Sequence, residues 1–268
     1  MSARQPVIYL PHGGGPWPWM DSRSFGGPTA MASLRAWLAA LPTALPEKPK
    51  AILMISAHWE ARVPTVSSAA RPPMLYDYYG FPPETYQIQW PAPGEPALAA
   101  RVRALLGGAG FETAEDASRG FDHGTFVPLA VAWPDAEIPT VQLSLIRGLD
   151  PDTHLRLGRA LAPLRDEGVL ILGSGMSYHN MRGFGTAQGS QDAEAFSAWL
   201  SRVVAEAPEQ RDDHLSAWAG APSGRASHPR EEHLLPLMVV AGAAGEERGR
   251  VTYSDRVLQT RVLSAHFG

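Results

Sequence analysis

The chain contains no cysteine. Disulfides, thiolate metal ligands and a cysteine nucleophile are thereby excluded, and any metal must be held by nitrogen and oxygen ligands. No run approaches the roughly 18 consecutive apolar residues of a membrane-spanning helix. The N-terminal MSARQPVIYL lacks the apolar segment and cleavage site of a secretory signal. The expectation is a soluble, cytoplasmic protein with no membrane partner. Positive charge is not in excess either: 23 Lys and Arg against 27 Asp and Glu give a formal net charge of -4. The arginines are scattered, which removes the electrostatic footprint of a nucleic-acid binder. GxGxxG and GxxxxGK[ST] spacings are missing, so GGGP after His12 is only a weak phosphate cradle. GSG in ILGSGMSYHN lacks the GxSxG order of a serine nucleophile elbow.

What is present suits one α/β domain spanning residues 1–268, with 44% hydrophobic and 19% charged residues. Short apolar runs at 6–10, 51–56, 139–145 and 168–174 read as buried strands. Helix-like stretches lie at 33–41, 95–106, 152–164, 192–206 and 231–243. This alternation predicts a largely parallel sheet covered on both faces. The Pro-rich piece from 71 to 96, which contains YDYYGFPPETYQIQWPAPGEP, has no clear periodicity. It reads either as a binding loop with aromatic walls or as a proline-pinned surface loop whose aromatics cover the core.

The nine histidines are unevenly placed. His12, His58 and His179 each follow an apolar strand, and the C-terminal ends of strands in an open α/β sheet gather on one rim, so these three should converge. His123 sits in FDHGTF, and His233 opens the helix predicted in SHPREEHLLPL, with His228 five residues earlier. One histidine after a strand is more often a hydrogen-bonded turn residue than a ligand. Several in one crevice need a partner, because burying imidazoles costs free energy, and a shared cation supplies it. His154, His214 and His266 have no special neighbours and are expected at the surface.

An ordered set of motifs now resembles a known family. LPHGGGP, ISAHWE, YDYYGFPPETYQIQWPAPGEP, FDHGTFVPL, LGSGMSYHN and SHPREEHLLPLMVVAGAAG span residues 8 to 245. Together they are similar to the class III extradiol ring-cleavage dioxygenases, in the DOPA dioxygenase branch, whose fold is that of the protocatechuate 4,5-dioxygenase catalytic subunit. The resemblance implies a single domain with a mixed, mostly parallel central sheet, helices on both faces, and a mononuclear metal at one end. It implies His12, His58 and His233 as metal ligands, His179 as acid and base, and His123 as the residue that orients substrate and oxygen. LPHGGGP departs from the more usual Ser-His-Gly-Ser-Pro and removes a hydroxyl from the pocket. More distant relatives use a glutamate as third ligand, a role open here to Glu232.

That activity would use Fe(II), since a catechol and triplet dioxygen do not react directly, and three protein ligands on one face leave positions for both. Zn(II) also occurs in this branch, so zinc in a purified sample would not identify the working metal. The expected partners are a small catechol, DOPA-like or related, and dioxygen. The product is a muconic semialdehyde, and the protein is expected as a monomer or small homo-oligomer. Trp17, Trp59, Tyr79, Tyr178 and Arg182 are candidates for the substrate's other end. The competing readings are a zinc hydrolase, with Glu60 or Glu232 serving water activation, and a non-catalytic Memo-like metal-binding protein. Neither calls for the two further imidazoles of His123 and His179.

Overall fold

The computed structural model describes residues 3–21 and 31–268. Among these residues eight strands form one sheet: β1 (Val7–Pro11), β2 (Ala51–Ala61), β3 (Thr65–Ser67), β4 (Ala114–Asp116), β5 (Thr140–Ile146), β6 (Val169–Gly175), β7 (Gly249–Val257) and β8 (Thr260–Phe267). Their order is β4-β3-β5-β2-β6-β1-β8-β7. The four apolar runs became the four central strands β5, β2, β6 and β1, which pair in parallel, as does β3 with β4. The remaining pairings, β1–β8, β3–β5 and β7–β8, are antiparallel, so the sheet is mixed and mostly parallel.

The helices are α1 (Ala32–Ala40), α2 (Pro96–Gly108), α3 (His123–Ala132), α4 (Pro151–Leu161), α5 (Ala187–Val204), α6 (Pro208–Ser216), α7 (Gly224–Ser227) and α8 (Leu235–Ala244). Five match predicted helices within a few residues; α3, α6 and α7 were not foreseen. Alternation along β1 divides the core. Val7 and Tyr9 pack with α2, α4, α5 and α8 on one face, while Ile8 and Leu10 pack with α1 and α3 on the other. Helices therefore cover both faces.

α8 is apolar all round and wholly buried, which fits a helix enclosed by its neighbours. Its closest neighbour is α4, and two glycines allow the approach. A Cβ on Gly158 would fall 2.0 Å from the Val239 carbonyl oxygen, and one on Gly242 would fall 2.1 Å from that of Leu155. Two side chains expected at the surface belong to the interior instead. His154 is fully buried: its Nδ1–H donates to the Asp150 carbonyl (2.7 Å) and its Nε2 accepts from Ile146 N–H (3.1 Å), joining the start of α4 to the end of β5. His266 is buried in β8, where loss of solvent lowers its pKa to about 4. Helical periodicity and a terminal position conceal burial of this kind. His214 does lie at the surface, paired with Glu206 at 2.6 Å.

The β7–β8 hairpin closes through a two-residue turn, Leu258–Gln259, between the paired residues Val257 and Thr260. Both turn residues have positive φ, 48° and 66°. That geometry suits the twist of a hairpin, but sequences normally use Asn or Gly for it, and an ordinary side chain there costs about 1–2 kcal/mol.

Candidate metal centre and active site

Because β1, β2 and β6 are adjacent and parallel, their C-terminal ends open on one rim, and His12, His58 and His179 come from those ends. His12 follows β1 directly. Its backbone N–H donates to the Gly175 carbonyl (3.2 Å), and its own carbonyl accepts from Trp17 Nε1–H (2.9 Å). His58 was expected just past the end of its strand but lies within β2. Between Ile55 and Glu60 the strand advances five residues while its partner β5 advances only from Leu143 to Leu145. Such a bulge re-aims side chains, and here it turns the imidazole onto the rim. Ser56 supports it, accepting from His58 N–H (3.2 Å) and donating to Asp122 (2.8 Å).

Asp122 caps α3 by accepting from Thr125 N–H (3.1 Å), so that His123 is the first helical residue. Burial, then the nearby Asp77 charge, raises the Asp122 pKa, opposed by Arg119 at 2.8 Å. His233, expected to open a helix, lies two residues before the buried α8. Its carbonyl accepts from Tyr9 Oη–H (2.7 Å) and Met176 N–H (3.2 Å). His179 N–H donates to the Ser227 carbonyl (2.9 Å), and His228 Nε2–H donates to that of Ser177 (3.1 Å), so two cross-links hold the segment after β6.

The five imidazoles share one space. Ring centroids of His12, His58 and His233 lie 4.8 to 5.2 Å apart, with one nitrogen from each within 4.8 Å of the others. His123 stands 4.0 Å from His58, and His179 stacks on His233 at 3.3 Å. Burial and then the neighbouring rings lower the pKa values of His12, His58 and His233 well below the usual imidazole range, which keeps them neutral.

Two carboxylates, neither identified as a supporting group from sequence, organise these rings. Asp77 Oδ1 accepts from both the His123 ring Nδ1–H (2.8 Å) and its backbone N–H (2.9 Å), while Oδ2 lies 3.5 Å from His58 Nδ1. Glu232 Oε1 faces Nδ1 of both His233 (3.1 Å) and His179 (3.3 Å). Each carboxylate therefore spans one member of the trio and one of the other two rings. Burial raises the pKa of both, but hydrogen bonds and charge attraction together, from His123 on Asp77 and chiefly from His179 and Arg230 on Glu232, leave each lowered. Arg230 holds the second Glu232 oxygen at 3.3 Å and grips Glu60 with both terminal nitrogens, at 2.6 and 2.7 Å.

The tautomers follow. His12 Nδ1–H donates to the Gly13 carbonyl (2.8 Å), leaving Nε2 bare. His233 Nδ1–H points at Glu232, and its Nε2 is buried with no hydrogen-bond partner. His12 Nε2 and His58 Nε2 face each other at 3.2 Å. Lone pairs converging in a buried space call for positive charge between them, so the residues present fit a divalent ion, with the carboxylates as outer-shell partners.

Beside this floor opens a cavity of about 490 Å³. Of the side chains expected at the substrate's other end, only Tyr79 lines it, 91% exposed at the rim. Trp17 turns to the His12 carbonyl, and Trp59 lies under the Arg119 guanidinium at 4.9 Å. Tyr178 is buried against Phe184, and Arg182 is exposed outside the lining. Met176, Phe184 and Leu258 line the cavity and carried no sequence signal for it.

Residues 6–264 match the family described as the catalytic LigB subunit of aromatic ring-opening dioxygenase. The chain belongs to this family. It is an extradiol aromatic ring-opening dioxygenase, of a family typically dependent on Fe(II). The dioxygenase is 44% identical over 203 residues to the 4,5-DOPA dioxygenase extradiol of Beta vulgaris, which covers 75% of each chain. It is 38% identical to the dioxygenase TasH of Hapsidospora irregularis, over 98% of this chain and 85% of that one. Its fold is similar to the crystal structure of an uncharacterized protein from Escherichia coli K12, with a TM-score of 0.79 and 31% identity over 99% of this chain and 100% of the other. The family implies an aromatic substrate and dioxygen as reactants.

Proposed function

We propose that the dioxygenase opens the ring of a small catechol beside its two hydroxyls, placing both atoms of dioxygen in a muconic semialdehyde. His12, His58 and His233 would hold Fe(II) through Nε2, and His123 and His179 would stay uncoordinated. The observation that carries this reading is the bare, partnerless Nε2 of His233 beside the facing Nε2 atoms of His12 and His58. The bound ion supplies Lewis acidity that lowers the pKa of the catechol hydroxyls and an electronic route between catechol and dioxygen. Three neutral ligands leave a site of charge +2, which favours a bound catecholate.

The protein's own groups handle protons and position. His179, with Nδ1 toward Glu232, presents Nε2 to the cavity; it takes the proton from a catechol hydroxyl and returns one when the ring opens. The ring Nδ1–H bond to Asp77 fixes the His123 tautomer and the backbone N–H bond to the same oxygen holds the residue in place, so its Nε2 offers a steady hydrogen-bonding atom that orients substrate and oxygen. The apolar cavity walls exclude water from the reacting ring.

The test is anaerobic loading with Fe(II) followed by a catechol panel under air. Oxygen uptake equal to catechol consumed, with a yellow, pH-dependent chromophore, is the expected result. Product formation without oxygen uptake, or activity retained with Zn(II) alone, would overturn it.

A further inference from the structure

The cavity wall differs in kind from its floor. Apart from the histidines and the glycines at 13–15, every side chain lining it among the described residues is apolar or aromatic. Met176 and Tyr78 form its inner wall, and Tyr78 spends its hydroxyl on the Thr85 carbonyl (2.6 Å). Phe81, Phe184 and Leu258 continue outward, and Tyr79 and Met181 stand at the rim. Those two are 91% and 71% exposed, which is unusual for large hydrophobic side chains away from a contact surface.

Leu258 gives a second, independent observation. It occupies the first position of the β7–β8 turn at φ 48°, where Asn or Gly would relieve the backbone. Its carbonyl accepts from Gly185 N–H (3.0 Å), which ties the turn to the segment carrying Met181 and Phe184. A branched apolar side chain is thus held over the cavity against its own conformational preference. Residues kept in sparsely populated backbone regions concentrate where a ligand is clamped.

Resting on the ring-opening reading above, we propose that the substrate is a catechol whose ring substituent is uncharged and apolar, and that Leu258 is a specificity-determining residue for it. The two hydroxyls face the histidine floor, and the substituent lies along Phe184 and Leu258. A zwitterionic or carboxylate substituent would have to leave water for a wall that, among the described residues, offers no charged partner and only the Tyr79 hydroxyl at its rim, at a cost that a methylene chain does not meet.

Two measurements test this. With the Fe(II)-loaded enzyme, kcat/KM across catechol, 4-methylcatechol, 4-ethylcatechol and 4-propylcatechol should rise roughly threefold for each buried carbon. DOPA and 3,4-dihydroxybenzoate should fall at least about tenfold below 4-propylcatechol. Dissociation constants of the same compounds, taken by calorimetry without oxygen, should show the same order and decide the proposal even if no compound turns over. Absence of turnover with that order intact would sink only the ring-opening reading. Tighter binding of DOPA or dihydroxybenzoate would overturn the substrate class while leaving ring opening in place.

Leu258→Asn separates selection from mere structure. Asparagine accepts the turn geometry, so the thermal midpoint should rise, while the preference for 4-propylcatechol over catechol should shrink by about tenfold. An unchanged preference, with Leu258→Gly agreeing, would remove Leu258 from the selection.

Discussion

The two imidazoles proposed to stay uncoordinated are held differently. His123 is pinned: it opens a capped helix and gives both its ring and its backbone N–H to one oxygen of Asp77. His179 sits on a loop whose backbone is tied by its N–H to the Ser227 carbonyl (2.9 Å), but its ring meets Glu232 only through one longer contact of 3.3 Å and otherwise rests on the face of the His233 ring. A fixed ring suits orientation, and a loosely tethered one suits giving and taking a proton. The same contrast runs through the carboxylates. Asp77 mainly serves His123, with His58 at 3.5 Å, whereas Glu232 stands closer to His233 than to His179.

The largest effect should come from the proposed proton carrier. His179→Gln, loaded with iron to the wild-type level by metal analysis, should lose about 10³-fold in kcat measured by oxygen uptake. His123→Gln should lose less in kcat and raise KM for the catechol. Equal kcat losses would dissolve the distinction between the two rings. Asp77→Asn comes next, at about 10- to 100-fold in kcat/KM, because the amide cannot accept from both donors without turning its NH₂ toward His58. Glu232→Gln should act chiefly on the ion, with about tenfold weaker metal affinity in a competition titration and a smaller change in kcat. The reverse pattern, metal loss in the Asp77 variant and kcat loss in the Glu232 variant, would exchange the two roles.

The smallest effect concerns acid. His228, wholly buried behind His179, has its pKa lowered to about 3 by loss of solvent, against 6.5 for an exposed imidazole. The unfolded chain takes up this proton at a pH where the folded chain does not. The folded state therefore holds its full advantage above pH 6.5 and loses it progressively below. Between pH 7 and pH 5 the loss from this residue is about 2 kcal/mol. Urea midpoints at the two pH values, compared with those of His228→Asn, should show a correspondingly shallower fall in the variant. Through the cross-links at Ser177 and Ser227, the His179 side is also the side that acid loosens.

What could be read from the sequence follows from how each part is buried. The central strands stand out because strands covered on both faces are continuous apolar runs. β7 and β8 escaped notice because GRVTYSDRV is half polar and the turn joining them, Leu-Gln, carries none of the usual turn residues. β3 and β4, of three residues each, are too short to show a period. The histidines could be collected because strand ends and turns are where rim residues come from. Asp77 was hidden in a stretch read for its aromatics, and nothing adjacent in sequence marks it as a partner of His123. The tryptophans misled for a related reason. Residue type shows that an aromatic ring is available but not which way it turns, and Trp17 and Trp59 turn to a carbonyl and an arginine.

The close approach of α4 and α8 at Gly158 and Gly242 reaches further than its small size suggests. α8 starts two residues after His233, so the depth at which that helix seats also sets where the ring hangs. An added methyl group at Gly158, on a helix that contributes no ring to the centre, would jack the whole rod outward and carry His233, the proposed third ligand, with it. Catalytic competence in this enzyme is thus partly written in a hydrogen atom on the far flank of a buried cylinder.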